Sequence, residues 1–197
     1  MADARPSGNL FGVSTVAGGA AFVLALIALR LRPLLVCIST GVATAIIIVP
    51  GMLRACCGGN EATAIGSLRA INSAEAAYAS SCAGGAYATQ LEDLVTAPEG
   101  SSQGFISPDL PSNGVTKSGY VVSIAKDASS GAADMSSVTP CNGATGVLVS
   151  SYFAKADPVT PGGTGTRYFA TDTRGTIFFS SSGPVPNPIP PDALVAQ

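Results

Sequence analysis

The chain has no histidine and no tryptophan, and only 11% of its residues are charged. Lack of histidine removes the commonest general base and the commonest metal ligand at neutral pH. A serine nucleophile would then need lysine as its base, and Lys117, Lys126 and Lys155 all fall in or beside predicted turns. No Gly-rich phosphate loop, CxxC pair or HExxH motif occurs. The ten basic residues are scattered, so no stripe exists for phosphate contacts and nucleic acid is not an expected partner. Taken together these absences argue against an enzyme. An average soluble domain carries about 25% charged residues, and the shortfall is concentrated in the first third of the chain.

Two uncharged stretches occupy that third, residues 10–29 and 34–53, separated by Arg30-Leu31-Arg32-Pro33. Each has about the 20 residues needed to cross a bilayer core as a helix. The second, LLVCISTGVATAIIIVPGML, has the Ile/Val/Leu density of a lipid-facing helix. Arg30 and Arg32 on its N-terminal flank predict that this flank stays cytoplasmic and that the C-terminal domain lies outside the cytoplasm. The organisation read from sequence is an atypical segment at 1–33 (an extra transmembrane helix or a leader), a transmembrane half-helix at 34–57, an extracytoplasmic domain at 58–183, and a proline-rich tail at 184–197. Pro50 interrupts the apolar run and predicts a kink there.

The apolar run passes directly into the polar segment NEATAIGSLRAINSAEAAY. Set on a helix, Ala64, Ile65, Leu68, Ile71, Tyr78 and Cys82 fall in one arc, wide enough to dock on a sheet. Ile65, Leu68, Ile71 and Tyr78 are therefore the predicted helix–sheet packing residues. Glu61 and Asn72 lie off the centre of the arc. Glu75 falls on it and reads as an edge carboxylate reaching water. Ala83-Gly84-Gly85 is a stop signal, and Thr89-Gln90-Leu91-Glu92 has capping-box spacing for a short helix over about 90–95.

Residues 98–118 read as a surface loop. Period-two alternation predicts strands over about 120–125 and 147–154, and a hairpin of 167–171 with 176–180 across Asp172-Thr173-Arg174-Gly175. Three to four antiparallel strands need a cover, which the apolar arc of the helix supplies. Cys82 and Cys141 lie in the polar part beside Gly-containing loops and are the expected structural disulfide of an exported domain. Residues 183–197 read as an extended tail without a core.

VPGMLRACCGGNEATAIGSLRAINSAEAAY resembles the N-terminal helix of type IV pilin-like proteins, including the major pseudopilins of type II secretion; TGTRYFATDTRGTIF continues the similarity. The resemblance implies an α+β, pilin-like fold, in which a long transmembrane-to-soluble helix packs on a small three- to four-stranded antiparallel sheet. It implies a structural subunit of a type IV pilus or type II secretion pseudopilus, with the membrane and other pilin-like subunits, or copies of itself, as partners. Pro50 matches the family's helix proline. No cofactor is expected; calcium, which some major pseudopilins bind, would here have only Asp157 and Asp172 to offer beside backbone carbonyls. Counting back from Pro50 places Pro33 where the family has a glutamate, and no acidic residue lies between Asp3 and Glu61. That departure favours the alternative expectation, a membrane-anchored extracytoplasmic binding domain that does not polymerise.

Overall fold

The structure, a computed structural model, describes residues 57–196. The predicted membrane stretch, the segment before it and Pro50 lie outside the described residues.

Helix α1 runs over residues 57–81. Its carbonyls at Tyr78 and Ala79 accept from the N–H groups of Cys82, Ala83 and Gly85, while Gly84 and Gly85 take positive φ. The chain therefore stops its helix at the predicted glycines, the residues that adopt this conformation without a Cβ clash. Helix α2 follows at Leu91–Val95. Its N-cap is Gln90, with no side-chain cap. The expected capping box is not used, because the Thr89 hydroxyl donates to the Val147 carbonyl and the Glu92 carboxylate accepts from the Asn113 N–H.

Six strands follow: β1 (Val115–Lys117), β2 (Tyr120–Lys126), β3 (Tyr152–Pro158), β4 (Tyr168–Asp172), β5 (Ile177–Ser180) and β6 (Leu194–Val195). They form a single antiparallel sheet in the order β1-β2-β3-β4-β5-β6, so each strand pairs with its neighbour in sequence. The expected architecture, a long transmembrane-to-soluble helix on a small three- to four-stranded sheet, is corrected by this: the described chain is dominated by one six-stranded sheet. The two extra strands, β1 and β6, come from segments read as coil. β1 forms where the presumed 98–118 surface loop ends, across the tight Ser118-Gly119 turn, in which both residues have positive φ. β6 comes from the proline-rich segment, where Leu194 and Val195 follow the last proline and regain backbone donors.

The strand expected over 147–154 begins only at Tyr152. Residues 147–150 instead bond loops on either side, with Val149 and Tyr87 exchanging two backbone hydrogen bonds and Leu148 accepting from Met135. The expected hairpin is present, with Tyr168 opposite Ser180 and Thr171 opposite Ile177. Gly175 has φ 72° and donates to the Asp172 carbonyl.

Alternation places two different cores on the two faces. On one face Ala64, Leu68, Ile71, Ala74 and Tyr78 of α1 share a cluster with Tyr120, Val122 and Ile124 of β2, Tyr152, Ala154 and Ala156 of β3, Phe169 of β4 and Ile177 of β5. Ile65 is partly buried against it. On the other face Phe153, Ala170 and Phe178 pack with Val185 and Ile189. The segment read as a tail without a core therefore covers the second face. Proline-rich chain can do this because its missing N–H groups need no partners, and Asn187 fastens it by donating to the Lys126 carbonyl while accepting from the Ala128 N–H.

Candidate functional site

The two sequence blocks that carry the family resemblance meet in space along one edge of α1. Asn60 donates from Nδ2 to the Thr164 carbonyl at 2.9 Å. Glu61 Oε1 accepts from the Thr166 N–H (2.9 Å) and hydroxyl (2.8 Å). Its Oε2 accepts from Arg167 Nε (2.9 Å) and Nη2 (2.7 Å). Three turns on, Asn72 donates to Thr171 Oγ1 and the Gly175 carbonyl, both at 3.0 Å, and accepts from the Tyr152 hydroxyl at 2.9 Å.

The spacing follows from element geometry. From residue 61 to 72 a helix rises about 16 Å. Thr166 and Arg167 come just before β4 and Thr171 lies within it, a span of about 16 Å where the chain is extended. The edge of α1 and β4 therefore keep pace, and polar residues at 61 and 72 reach matching polar residues at 166–167 and 171. Burial alone would push the Glu61 carboxyl up; the hydrogen bonds from Thr166 and Arg167 more than reverse this, and it lies below its ordinary value. The Arg167 guanidinium also sits 5.3 Å from the centroids of both Phe169 and Phe179.

The other expected site residues are placed as follows. Cys82 and Cys141 are bonded to each other, with Cα atoms 4.8 Å apart. Leu68, Ile71 and Tyr78 are fully buried. Asp157 and Asp172 are not brought together: in the β3–β4 register Asp172 stands opposite Phe153, four residues along β3 from Asp157, about 13 Å away. Each already has a cation, Lys155 at 2.7 Å from Asp157 and Arg174 at 2.7 Å from Asp172. Among the described residues no group of three or more His, Cys, Asp or Glu side chains is placed to hold a metal ion. All three lysines are engaged by aspartates, Lys117 by Asp109 and Lys126 by Asp134 besides the pair above. Glu75 is corrected from an edge carboxylate to a fully buried one. Its position on the apolar arc was the signal, and the reading of its long side chain as reaching water is what failed.

The side of α1 turned away from the sheet is exposed at Ala62, Gly66, Ala70, Ser73, Ala77 and Ser80. These positions recur at three- and four-residue intervals and make one stripe along the helix. Arg69 is the single charge on it. A Cβ added at Gly66 would meet nothing within 4 Å. The stripe is thus a smooth surface of small side chains, on a helix whose opposite side is fixed to the domain.

Comparison with known protein families, with curated proteins and with solved structures finds no match to this chain. Among the described residues no helix is long and apolar enough to cross a membrane.

Proposed function

We propose that the chain is a structural subunit of a type IV pilus or a type II secretion pseudopilus. It would be held in the inner membrane by the uncharged run at 34–53, with its C-terminal domain outside the cytoplasm. The observation that carries this reading is the division of labour on α1. One side is committed to the sheet by an apolar arc and a polar clasp, while the other presents small residues that let a second helix approach closely. The solvent side of a surface helix ordinarily carries polar and charged residues, whereas this one carries mainly Ala, Ser and Gly. The disulfide fits a compartment outside the cytoplasm.

A second reading, a membrane-anchored extracytoplasmic binding domain that stays monomeric, is favoured by one specific observation: no acidic residue lies between Asp3 and Glu61. The glutamate by which the resembling family pairs neighbouring subunits inside the membrane has no counterpart. Comparing membrane pellets with fibres sheared from the cell surface separates the two. A fibre subunit is expected in the sheared fraction or in a membrane-bound polymer; recovery only as a detergent-soluble monomer would support the second reading.

A further inference from the structure

Beneath the disulfide, successive turns of α1 direct Glu75 and Tyr78 into the interior, and both are fully buried. Asp93 of α2 enters the same region at 5% exposure, and its charge acts on both Glu75 and the Tyr78 hydroxyl. Each carboxylate is held at one oxygen only. Glu75 Oε2 accepts from the Ala88 N–H at 3.0 Å, and Asp93 Oδ1 accepts from the Gly146 N–H at 3.4 Å. Glu75 Oε1, Asp93 Oδ2 and the Tyr78 hydroxyl are buried without a protein partner. The wall is tight: a Cβ at position 146 would stand 1.9 Å from Asp93 Oδ2.

The neighbouring groups make two charges hard to sustain here. The polar groups around Glu75 are Tyr78 on its own helix, Asp93 on α2 with Glu92 beside it, and Tyr152 on β3, whose hydroxyl already donates to Asn72. Neither lysine nor arginine is among the influences on Glu75 or Asp93. Two ionised carboxylates in this setting would repel each other in a low dielectric, and beyond the Ala88 and Gly146 N–H groups already used, the Tyr78 O–H is the one uncommitted donor among these groups for two unpaired oxygens. A proton on Glu75 removes the repulsion and adds the missing donor.

We propose that the folded domain binds a proton at Glu75, whose unpartnered oxygen is buried in the interior that also holds the unpartnered Tyr78 hydroxyl and Asp93 Oδ2, and that this proton tightens the disulfide corner in acid. The corner is the connected structure: Asn142, next to Cys141, donates to the carbonyls of Asp93 and Thr96, and Gly146 holds the Asp93 side chain. Loss of the proton loosens the contact of α1 with α2 where the 141–146 loop bonds to Cys82, just past the end of α1, and to Asp93 of α2.

The sign is fixed by linkage. Burial, with a smaller push from Asp93 and opposed by the Ala88 N–H, raises the Glu75 carboxyl from 4.5 to about 8. Between these values the folded state holds a proton that the unfolded state has released. Stability from this group is complete below the lower value, falls by about tenfold in the folding constant per pH unit, and levels off above the higher one. Burial likewise raises Asp93, which acts in the same direction.

The test is pulse proteolysis in urea of the full chain in detergent micelles, oxidised, from pH 5 to pH 9. The parent's folding constant is expected to fall at least a hundredfold between pH 5 and pH 8, while Glu75→Gln removes most of the slope and exceeds the parent at pH 8. Infrared difference spectra of the unmodified chain add a readout that needs no variant: a protonated-carboxyl C=O band should vanish between pH 6 and pH 9. A flat parent profile, an undiminished slope in Glu75→Gln, or no such band would overturn the proposal. So would stabilisation of the parent by calcium at pH 8 that Glu75→Gln abolishes, since the carboxylates would then hold a cation in place of the proton.

Discussion

Replacing Cys82 and Cys141 together by serine is expected to destabilise the folded domain by about 4 kcal/mol. The two cysteines are 59 positions apart in sequence, and opening a loop of that size returns about this much chain entropy to the unfolded state. The native geometry around the bond argues against a smaller value. Cys82 sits in the main core at the end of α1, and the Cys141 N–H donates to the Cys82 carbonyl at 3.1 Å, so the bridge closes over contacts that already hold the two segments together. For a domain of ordinary stability, 5–15 kcal/mol, the loss is a large fraction. The double variant should show a lower urea midpoint than the oxidised parent and rapid proteolysis in the 126–145 loop. A change below about 1 kcal/mol would mean that the loop is held without the bridge.

Phe169→Ala is expected to cost a similar amount, about 4 kcal/mol. Phe169 is fully buried at the centre of the sheet, beneath α1. Its ring lies 5.9 Å from that of Tyr120 and beneath the Arg167 guanidinium that clasps Glu61. Removing it opens a cavity and also takes away the surface on which Arg167 lies. The same measurement on Phe178→Ala, on the opposite face, samples the smaller cluster roofed by Val185 and Ile189. If Phe169→Ala proved the milder of the two, the helix-covered face would not be the principal core.

The helix-covered side of the domain was legible because its signals are periodic. The arc of Leu68, Ile71 and Tyr78, the stop at Gly84-Gly85 and the hairpin at 172–175 each follow from local chemistry. The edges of the sheet were not. β1 has three residues and β6 two, too short for any alternation to register, and both exist only because a neighbouring strand offers unpaired backbone groups. The proline-rich segment misled for a related reason: its composition describes how the chain behaves alone, whereas Val185 and Ile189 are buried only because the sheet's second face presents Phe153 and Phe178. The clasp was half visible. Glu61 and Asn72 on the flank of the arc mark where a partner should lie, but nothing local identifies Thr166, Arg167 and Thr171 as that partner. Glu75 shows the reverse failure, a carboxylate whose long stem suggested water and whose position placed it in the core.

The proposed role of the small-residue stripe on α1 in assembly admits one direct measurement. A cysteine placed at Ala70, exposed in the small-residue stripe, should be joined by a short bis-maleimide to its neighbours in intact cells. A fibre subunit is expected to give a ladder of dimers and higher multiples above the background of the parent chain, while a cysteine at Ser130, exposed in the loop after β2, should add nothing to it. Monomer alone at position 70, under conditions in which the same thiol reacts fully with a monofunctional maleimide, would contradict assembly through this helix.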